Sequence, residues 1–400
     1  MSRFLFVVPP LVGHINPAVG VAAALASRGH RVAWAGRPDL VRGLAGPDAD
    51  VYACTLPGET PGGDAGPDTS RPADIRGPEA LRFLWERFLV PLAEAMAPGV
   101  RRAVEAFRPD VVVADQQALA GALVAEDLRL PWATSATTSA ELTDALASMP
   151  RVDAWCRARL SDLRARIGDP AGSGDPRFSP HLVLVFSTPE LAGDAARGRD
   201  QVRWVGPSLT SRTSPAAFPW ERLDSRRALV LVTLGTANTD VGARFLTRSA
   251  DALRARADRV QAVVVDPAGA LGTTPPSDNV IALPTVPQLD LLARTDAVVC
   301  HGGHNTVCEA LWHGVPLVVA PIRDDQPIVA AQVAGAGAGV RVRFGRADAD
   351  TIGRAVDTVL HDPGPRTAAD TIARAFRDAG GAPKAARHLE RLADGRKDRA

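Results

Sequence analysis

Short runs of uninterrupted apolar residues alternate along this chain with longer amphipathic stretches, and the alternation occurs twice. In the first half the runs are 3–8 (RFLFVV), 31–35 (RVAWA), 50–54 (DVYAC), 110–114 (DVVVA), 131–135 (PWATS) and 182–186 (LVLVF). In the second half they are 228–234 (ALVLVTL), 261–265 (QAVVV), 279–283 (NVIAL), 296–300 (DAVVC), 316–320 (PLVVA) and 339–343 (GVRVR). Continuous Val, Leu and Ala runs suit strands buried on both faces. Strands separated by helical stretches are the pattern of βαβ units and a parallel sheet. The pattern predicts an α/β protein with two doubly wound parallel sheets. It also predicts a long helix over 79–107, kinked at Pro91 and Pro98.

The length of 400 residues supports the same division, because single cores rarely grow much beyond roughly 250 residues. The stretch 206–227 is rich in Pro and Ser and has no periodicity, so the first domain is placed at 1–206, a linker at 207–227 and the second domain at 228–400. The last helix, about 382–393, follows the sixth strand unit of the second domain and is free to pack back on the first. A second irregular stretch, 57–78, falls inside the first domain. Loops of that length are usually binding lids or disordered insertions. Its Pro, Gly and Asp content leads us to expect mobility without an acceptor.

Net charge is +1, which gives no reason to expect a nucleic-acid partner. The apolar run after Arg3 is broken by Pro9 and Pro10 and lacks the length and cleavage site of a signal peptide. No window offers the ~18 apolar residues that a membrane span needs. Cys54, Cys156, Cys300 and Cys308 share no metal-ligand spacing, which points to reduced thiols and a cytoplasmic location.

In a doubly wound sheet, ligands bind beyond the strand C-termini where the strand order reverses, between the first and fourth strands in the usual order. Gly13-His14 follows the first strand here and Asp115 ends the fourth. A neutral imidazole backed by a carboxylate can take a proton from a hydroxyl near neutral pH. Either residue is also of a type that caps a helix, His14 for one at 16–28 and Asp115 for one starting near 117. The second half repeats the arrangement. Its first strand ends in Gly235-Thr236 and its fourth in His301-Gly302-Gly303-His304-Asn305-Thr306. A Gly-rich turn opening a helix suits a diphosphate. There is no G-x-G-x-x-G after the first strand of either half and no G-x-x-x-x-G-K-[ST], which argues against dinucleotide oxidoreductases and P-loop nucleotidases.

These motifs resemble the nucleotide-sugar-dependent glycosyltransferases of family 1, whose GT-B architecture has two Rossmann-like domains facing a central cleft. The nearest flavour is that of bacterial natural-product and carotenoid glycosyltransferases. GHINP at 13–17 looks like the family's G-H-x-x-P, where the His is the catalytic base. VVVADQQALAGALVAEDLRLP looks like the strand and helix whose carboxylate pairs with it. From Pro287 to Gln326, PQLDLL, HGGHNTVCE, GVP and DDQ follow the spacing of the donor signature.

The resemblance implies an inverting O-glycosyltransferase that moves a sugar from a UDP- or dTDP-sugar to a hydroxyl of a small apolar acceptor, with His14 as base paired with Asp115. It implies that His301, Gly303, Asn305 and Thr306 meet the diphosphate, that Glu309 binds the ribose hydroxyls, and that Asp325 and Gln326 bind the transferred sugar. Val286 and Gln288 belong beside the nucleobase, and Gly235-Thr236 close over the phosphates. His304 stands where plant members have Trp, either as a phosphate donor or as an occupant of the turn. Thr285 stands where many relatives stack a Trp on the base. No cofactor is implied. Asp324-Asp325 lacks a third ligand at close spacing, so no metal is expected. The rivals are a nucleotide-sugar 2-epimerase and a non-catalytic nucleotide-sugar-binding partner of another transferase. Outside the motifs, His30 and His313 read as caps or packing, the cluster Phe83, Trp85 and Phe88 as core or else an acceptor platform, and Trp132 as core.

Overall fold

The computed structural model describes residues 1–58, 77–143, 146–193, 195–196, 198–209, 217–235, 241–272 and 277–397. Thr236 and nearly all of 57–78 lie outside the described residues. The first sheet contains β1 (Arg3–Val7), β2 (Arg31–Gly36), β3 (Val51–Ala53), β4 (Val111–Asp115), β5 (Trp132–Ala136), β6 (Val183–Val185) and β7 (Val202–Trp204). Its order is β3-β2-β1-β4-β5-β6-β7, with every neighbouring pair parallel. The second sheet contains β8 (Ala228–Thr233), β9 (Val260–Val265), β10 (Val280–Leu283), β11 (Ala297–Cys300), β12 (Leu317–Val319) and β13 (Gly339–Arg341). It runs β10-β9-β8-β11-β12-β13, again all parallel. Each order reverses beside its first strand, so β1 adjoins β4 and β8 adjoins β11. These are two Rossmann-like sheets, as the apolar periodicity predicts.

Alternation along each strand sends side chains to two apolar layers. In the first sheet, Leu5, Val7, Val112 and Ala114 pack with the helices Val90–Phe107 and Leu119–Asp127. Phe4, Phe6, Val111 and Val113 pack on the opposite face with the helices Val12–Ser27 and Gly381–Lys397. In the second sheet, Val230, Val232, Val264 and Val299 pack against Phe245 and Leu253 of the helix Ala243–Arg254 and Val356 of the helix Ala349–His361. No helix among the described residues is long and apolar enough to cross a membrane.

Four features differ from the sequence expectation. The first helix starts at Val12, not at 16, so His14 lies in its first turn, and Pro17 is carried inside it. Asp115 ends β4 as expected, but the next helix begins at Leu119 and not near 117, so Asp115 is not its cap. The expected 79–107 helix is interrupted by a π-helical segment, Leu84–Leu89, where the Val90 amide donates to Trp85. Pro91 follows and has no N–H to give, so the ladder slips by one residue there. The apolar pattern does not mark the edge strand β7, because Val-Arg-Trp has no buried run; Arg203 at its centre is what a sheet edge tolerates.

The chain divides into two units. Met1–Phe186, Ala195–Thr210 and Ala379–Ala400 form one, and Ser187–Asp194 with Ser211–Asp378 form the other. The segment from Ala379 onward thus sits with the first unit and not with the 228–400 block, to which sequence order assigns it.

Candidate functional site

The switch point of the first unit brings together two residues 101 apart in sequence. Val113, Asp115 and Ser135 share the face of the sheet that the helix Val12–Ser27 covers, because they alternate with Ala114 and Thr134. The imidazole of His14, carried by that helix, comes within reach of the β4 terminus. His14 Nδ1 lies 2.9 Å from Asp115 Oδ1. The Asp115 side chain is fully buried, whereas that of His14 keeps 17% of its surface exposed. Asp115 Oδ1 also accepts from the Gln117 amide at 2.8 Å. A carboxylate can only accept, so the imidazole donates through Nδ1–H and carries its lone pair on Nε2. Thr137 completes the group: its Oγ1 is 2.8 Å from His14 Nδ1 and 3.3 Å from Asp115 Oδ2. Gly13 is the second residue of the helix and has no side chain to crowd this turn.

At the switch point of the second unit, β11 ends at Cys300 and pairs with Thr233 at the end of β8. The next residues, His301-Gly302-Gly303, turn into the helix His304–Trp312, for which Gly303 is the N-cap. Gly235 and Gly303 flank the His301 ring. A Cβ on Gly235 would come within 2.8 Å of His301 Cε1, and one on Gly303 would collide with His301 Nε2. Gly235 also holds φ +69°, which penalises any residue with a Cβ. His301 is 7% exposed, and its Nδ1 is buried without a hydrogen-bond partner among the described residues. Burial pulls its pKa down to about 4, with a hydrogen bond to the Thr233 backbone working the other way and the Arg323 charge adding to the depression. The ring is therefore neutral at neutral pH, beside a helix N-terminus whose amides suit an anion.

Asn305, Thr306 and Glu309 follow on this helix, and Asn305 and Glu309 share a face one turn apart. Glu309 is buried, and its Oε2 accepts from Gln288 Nε2 at 2.6 Å. Gln288 opens the short helix Gln288–Leu292, with half-buried Val286 just before it. Asp325 is the N-cap residue of the helix Gln326–Gly335. Gln326 is buried, and its Oε1 accepts from the Ile322 and Arg323 amides at 2.9 and 3.0 Å. Its carbonyl therefore ties down the preceding loop, and the group it has to offer a ligand is the amide NH₂. His304 is also buried, with Nε2 3.4 Å from Cys308 Sγ.

The structure thus brings His14 to Asp115, Gln288 to Glu309, and Gly235 and Gly303 to His301. Thr236 is outside the described residues. Three contacts escaped sequence reasoning: Thr137 on the His–Asp pair, Cys308 on His304, and Gln326 on its own loop. A signal existed for the first, since Thr134–Ser139 is nearly all hydroxyl residues at the end of the strand next to β4. Trp85 and Trp132 are buried in the core as expected. His30 packs edge-on against Phe4 and bonds Glu390.

Comparison with known proteins agrees with this fold. Residues 254–391 match the family model of the erythromycin biosynthesis protein CIII-like C-terminal domain. The chain is 30% identical to the 4'-demethylrebeccamycin synthase of Lentzea aerocolonigenes, over 90% of this chain and 92% of that protein. It is 29% identical to the demethyllactenocin mycarosyltransferase of Streptomyces fradiae, over 98% of this chain and 87% of that protein. Among solved structures, the spinosyn rhamnosyltransferase SpnG complexed with thymidine diphosphate aligns with TM-score 0.75 and 25% identity, covering 98% of this chain and 100% of that one. SpnG has also been solved complexed with spinosyn aglycone. Two parallel-sheet units with reversed strand order go with these likenesses, and the chain belongs to the GT-B natural-product glycosyltransferases.

Proposed function

We propose that this transferase moves a sugar from a nucleoside diphosphate sugar to a hydroxyl of a small, largely apolar natural product, with inversion at the anomeric carbon. The observation that carries the reading is the His14–Asp115 hydrogen bond at the end of β4. His14 Nε2 takes the proton from the acceptor hydroxyl as its oxygen attacks the anomeric carbon. The bond from that carbon to the diphosphate breaks, and the electron pair leaves with the nucleoside diphosphate. Asp115 stabilises the imidazolium that forms. One displacement turns an α-linked donor into a β-glycoside. The donor carries thymidine or uridine diphosphate; the thymidine diphosphate bound by SpnG supports the first of these. In this reading Glu309, held by Gln288, takes the ribose hydroxyls. Asp325 and the Gln326 amide take the sugar, and Val286 lies against the base. Asn305, Thr306, the Gly303 amide and His301 meet the diphosphate, and Thr236 and Gly235 lie over it. His304, tied to Cys308, occupies the turn.

Donors aimed at charge that develops on the leaving group act as preorganised electrostatic stabilisation. On this reading no metal is required, and activity survives EDTA; loss of turnover restored by magnesium or manganese would contradict it. The base assignment has a sharper test. His14→Ala should lower kcat by about 100-fold or more, with nucleotide-sugar affinity near that of the wild type by calorimetry. A variant that keeps most of its turnover removes His14 from the mechanism. We also place the protein in the cytoplasm, where its four buried free thiols would stay reduced.

A further inference from the structure

The ring of contacts around His14 contains one member that the base reading does not require. Thr137 is buried one residue past the end of β5. The Ala136 carbonyl accepts from the Phe186 amide at 3.4 Å, and the Thr138 side chain accepts from the Ala140 amide at 3.2 Å, so both neighbours of Thr137 are tied down. Its side chain is β-branched and stiff at χ1. Its Oγ1 stands 2.8 Å from His14 Nδ1 and 3.3 Å from Asp115 Oδ2.

We propose that Thr137 is a positioning residue that locks His14 and Asp115 into the geometry and tautomer required of a general base. The assignment follows from proton counting. The hydroxyl has one proton, and Asp115 Oδ2 can only accept. If Nδ1 carried the lone pair, Thr137 would have to donate to it, and Asp115 Oδ1 would then face that lone pair at 2.9 Å. With the proton on Nδ1 every contact is attractive. Nδ1–H is shared between Asp115 Oδ1 and Thr137 Oγ1, and the Thr137 proton goes to Asp115 Oδ2. The Gln117 amide holds Oδ1 from another side, so both carboxylate oxygens are fixed and the plane of the group is set. Thr137 gives the imidazole a second anchor beside Asp115, which restricts its rotation further. A closed polar ring in a buried setting is also stiffer than its pairs taken singly.

The inference rests on His14 being the base, and the test separates the two claims. Thr137→Val keeps the shape and removes the hydroxyl, while Thr137→Ser keeps the hydroxyl. Thr137→Val should lower kcat by about tenfold, the effect of about 1.4 kcal/mol on the barrier, with KM for donor and acceptor unchanged. Thr137→Ser should recover most of that loss. In the protein without substrates, the ¹H–¹⁵N signal of the His14 Nδ1–H, assigned by its absence from His14→Ala, should shift in Thr137→Val and return in Thr137→Ser. In a His14→Ala background, Thr137→Val should cost nothing further, because residues that act as a unit are not additive. A Thr137→Val protein with wild-type kcat and an unmoved signal overturns the proposal. So does a rise in KM with the signal unmoved, which would make Thr137 a substrate contact. If His14→Ala is active, the base assignment falls, and the imidazole signal still decides whether Thr137 orients the ring. Should Thr137→Val not fold, Thr137→Ala supplies the same comparison.

Discussion

At the scale of single residues, His301 shows how packing sets chemistry. An ordinary imidazole titrates near pH 6.5, and burial between Gly235 and Gly303 takes this one down to about 4. Between those values the unfolded chain binds a proton that the folded protein refuses. The folded state is therefore fully favoured above pH 6.5 and loses stability as pH falls toward 4, by on the order of 3 kcal/mol from this group. His388, also pulled to about 4 by burial and then by Arg391, adds to the same slope. Urea midpoints measured at pH 7 and pH 5 should differ in this direction, and His301→Gln should flatten the difference. An unchanged slope in the variant would mean that the ring is solvated in solution.

At the scale of elements, close packing of a helix on the sheet fixes the strand end that carries Asp115. The helix Leu119–Asp127 lies so near the ends of β1 and β4 that a Cβ on Gly121 would come within 2.9 Å of both Ala114 Cβ and Val7 Cβ. Neither neighbour has a flexible end that could move aside. Gly121→Ala should therefore push the helix away and destabilise the protein by about 1–3 kcal/mol, the usual cost of overpacking. Asp115 leads directly into this helix, so kcat should fall as well. Chemical denaturation and steady-state kinetics on one preparation check both effects; normal stability with normal kcat would show that the helix yields without strain. The π-helical slip before Pro91 belongs to this scale too. It could not be placed from sequence, because Pro marks that a ladder must break and leaves open whether it kinks or slips.

At the scale of the whole molecule, the chain's end completes the unit in which it begins. Ala385, Ala386, Leu389 and Ala393 of the C-terminal helix are fully buried in the layer that includes Phe4, Phe6 and the helix Val12–Ser27. Glu390 accepts from both Arg28 Nε and Nη2, at 2.7 and 2.8 Å, and its Oε1 is 2.8 Å from His30 Nε2. Leu389 alone represents about 2 kcal/mol of apolar burial. A chain truncated after Asp378 should unfold its first unit several degrees earlier, bind a hydrophobic dye, and lose turnover through the His14 helix. Calorimetry that resolves two transitions would show one of them moving to lower temperature and the other staying in place. A truncated protein with an unshifted profile and normal turnover would show that the helix is dispensable.

The sequence by itself determined the class of fold, the two first-strand switch points and the residue types around them. Uninterrupted Val and Leu runs have few places to go other than a sheet covered on both faces, and a parallel sheet constrains where its ligands lie. His14, Asp115 and His301 could be picked out as candidates because each sits in or beside a turn at a switch point, whereas Glu309, inside a helix, stood out only through the family resemblance. Beyond the His14–Asp115 pairing, tertiary structure alone decided what those residues touch. Thr137 meets His14 across 123 positions of sequence and Gln288 meets Glu309 across 21, and a hydroxyl or an amide carries no local mark of a distant partner. The C-terminal helix makes the same point on a larger scale. Its amphipathic face called for some apolar partner, and which of two similar sheets received it depended on surfaces that exist only once the chain has folded.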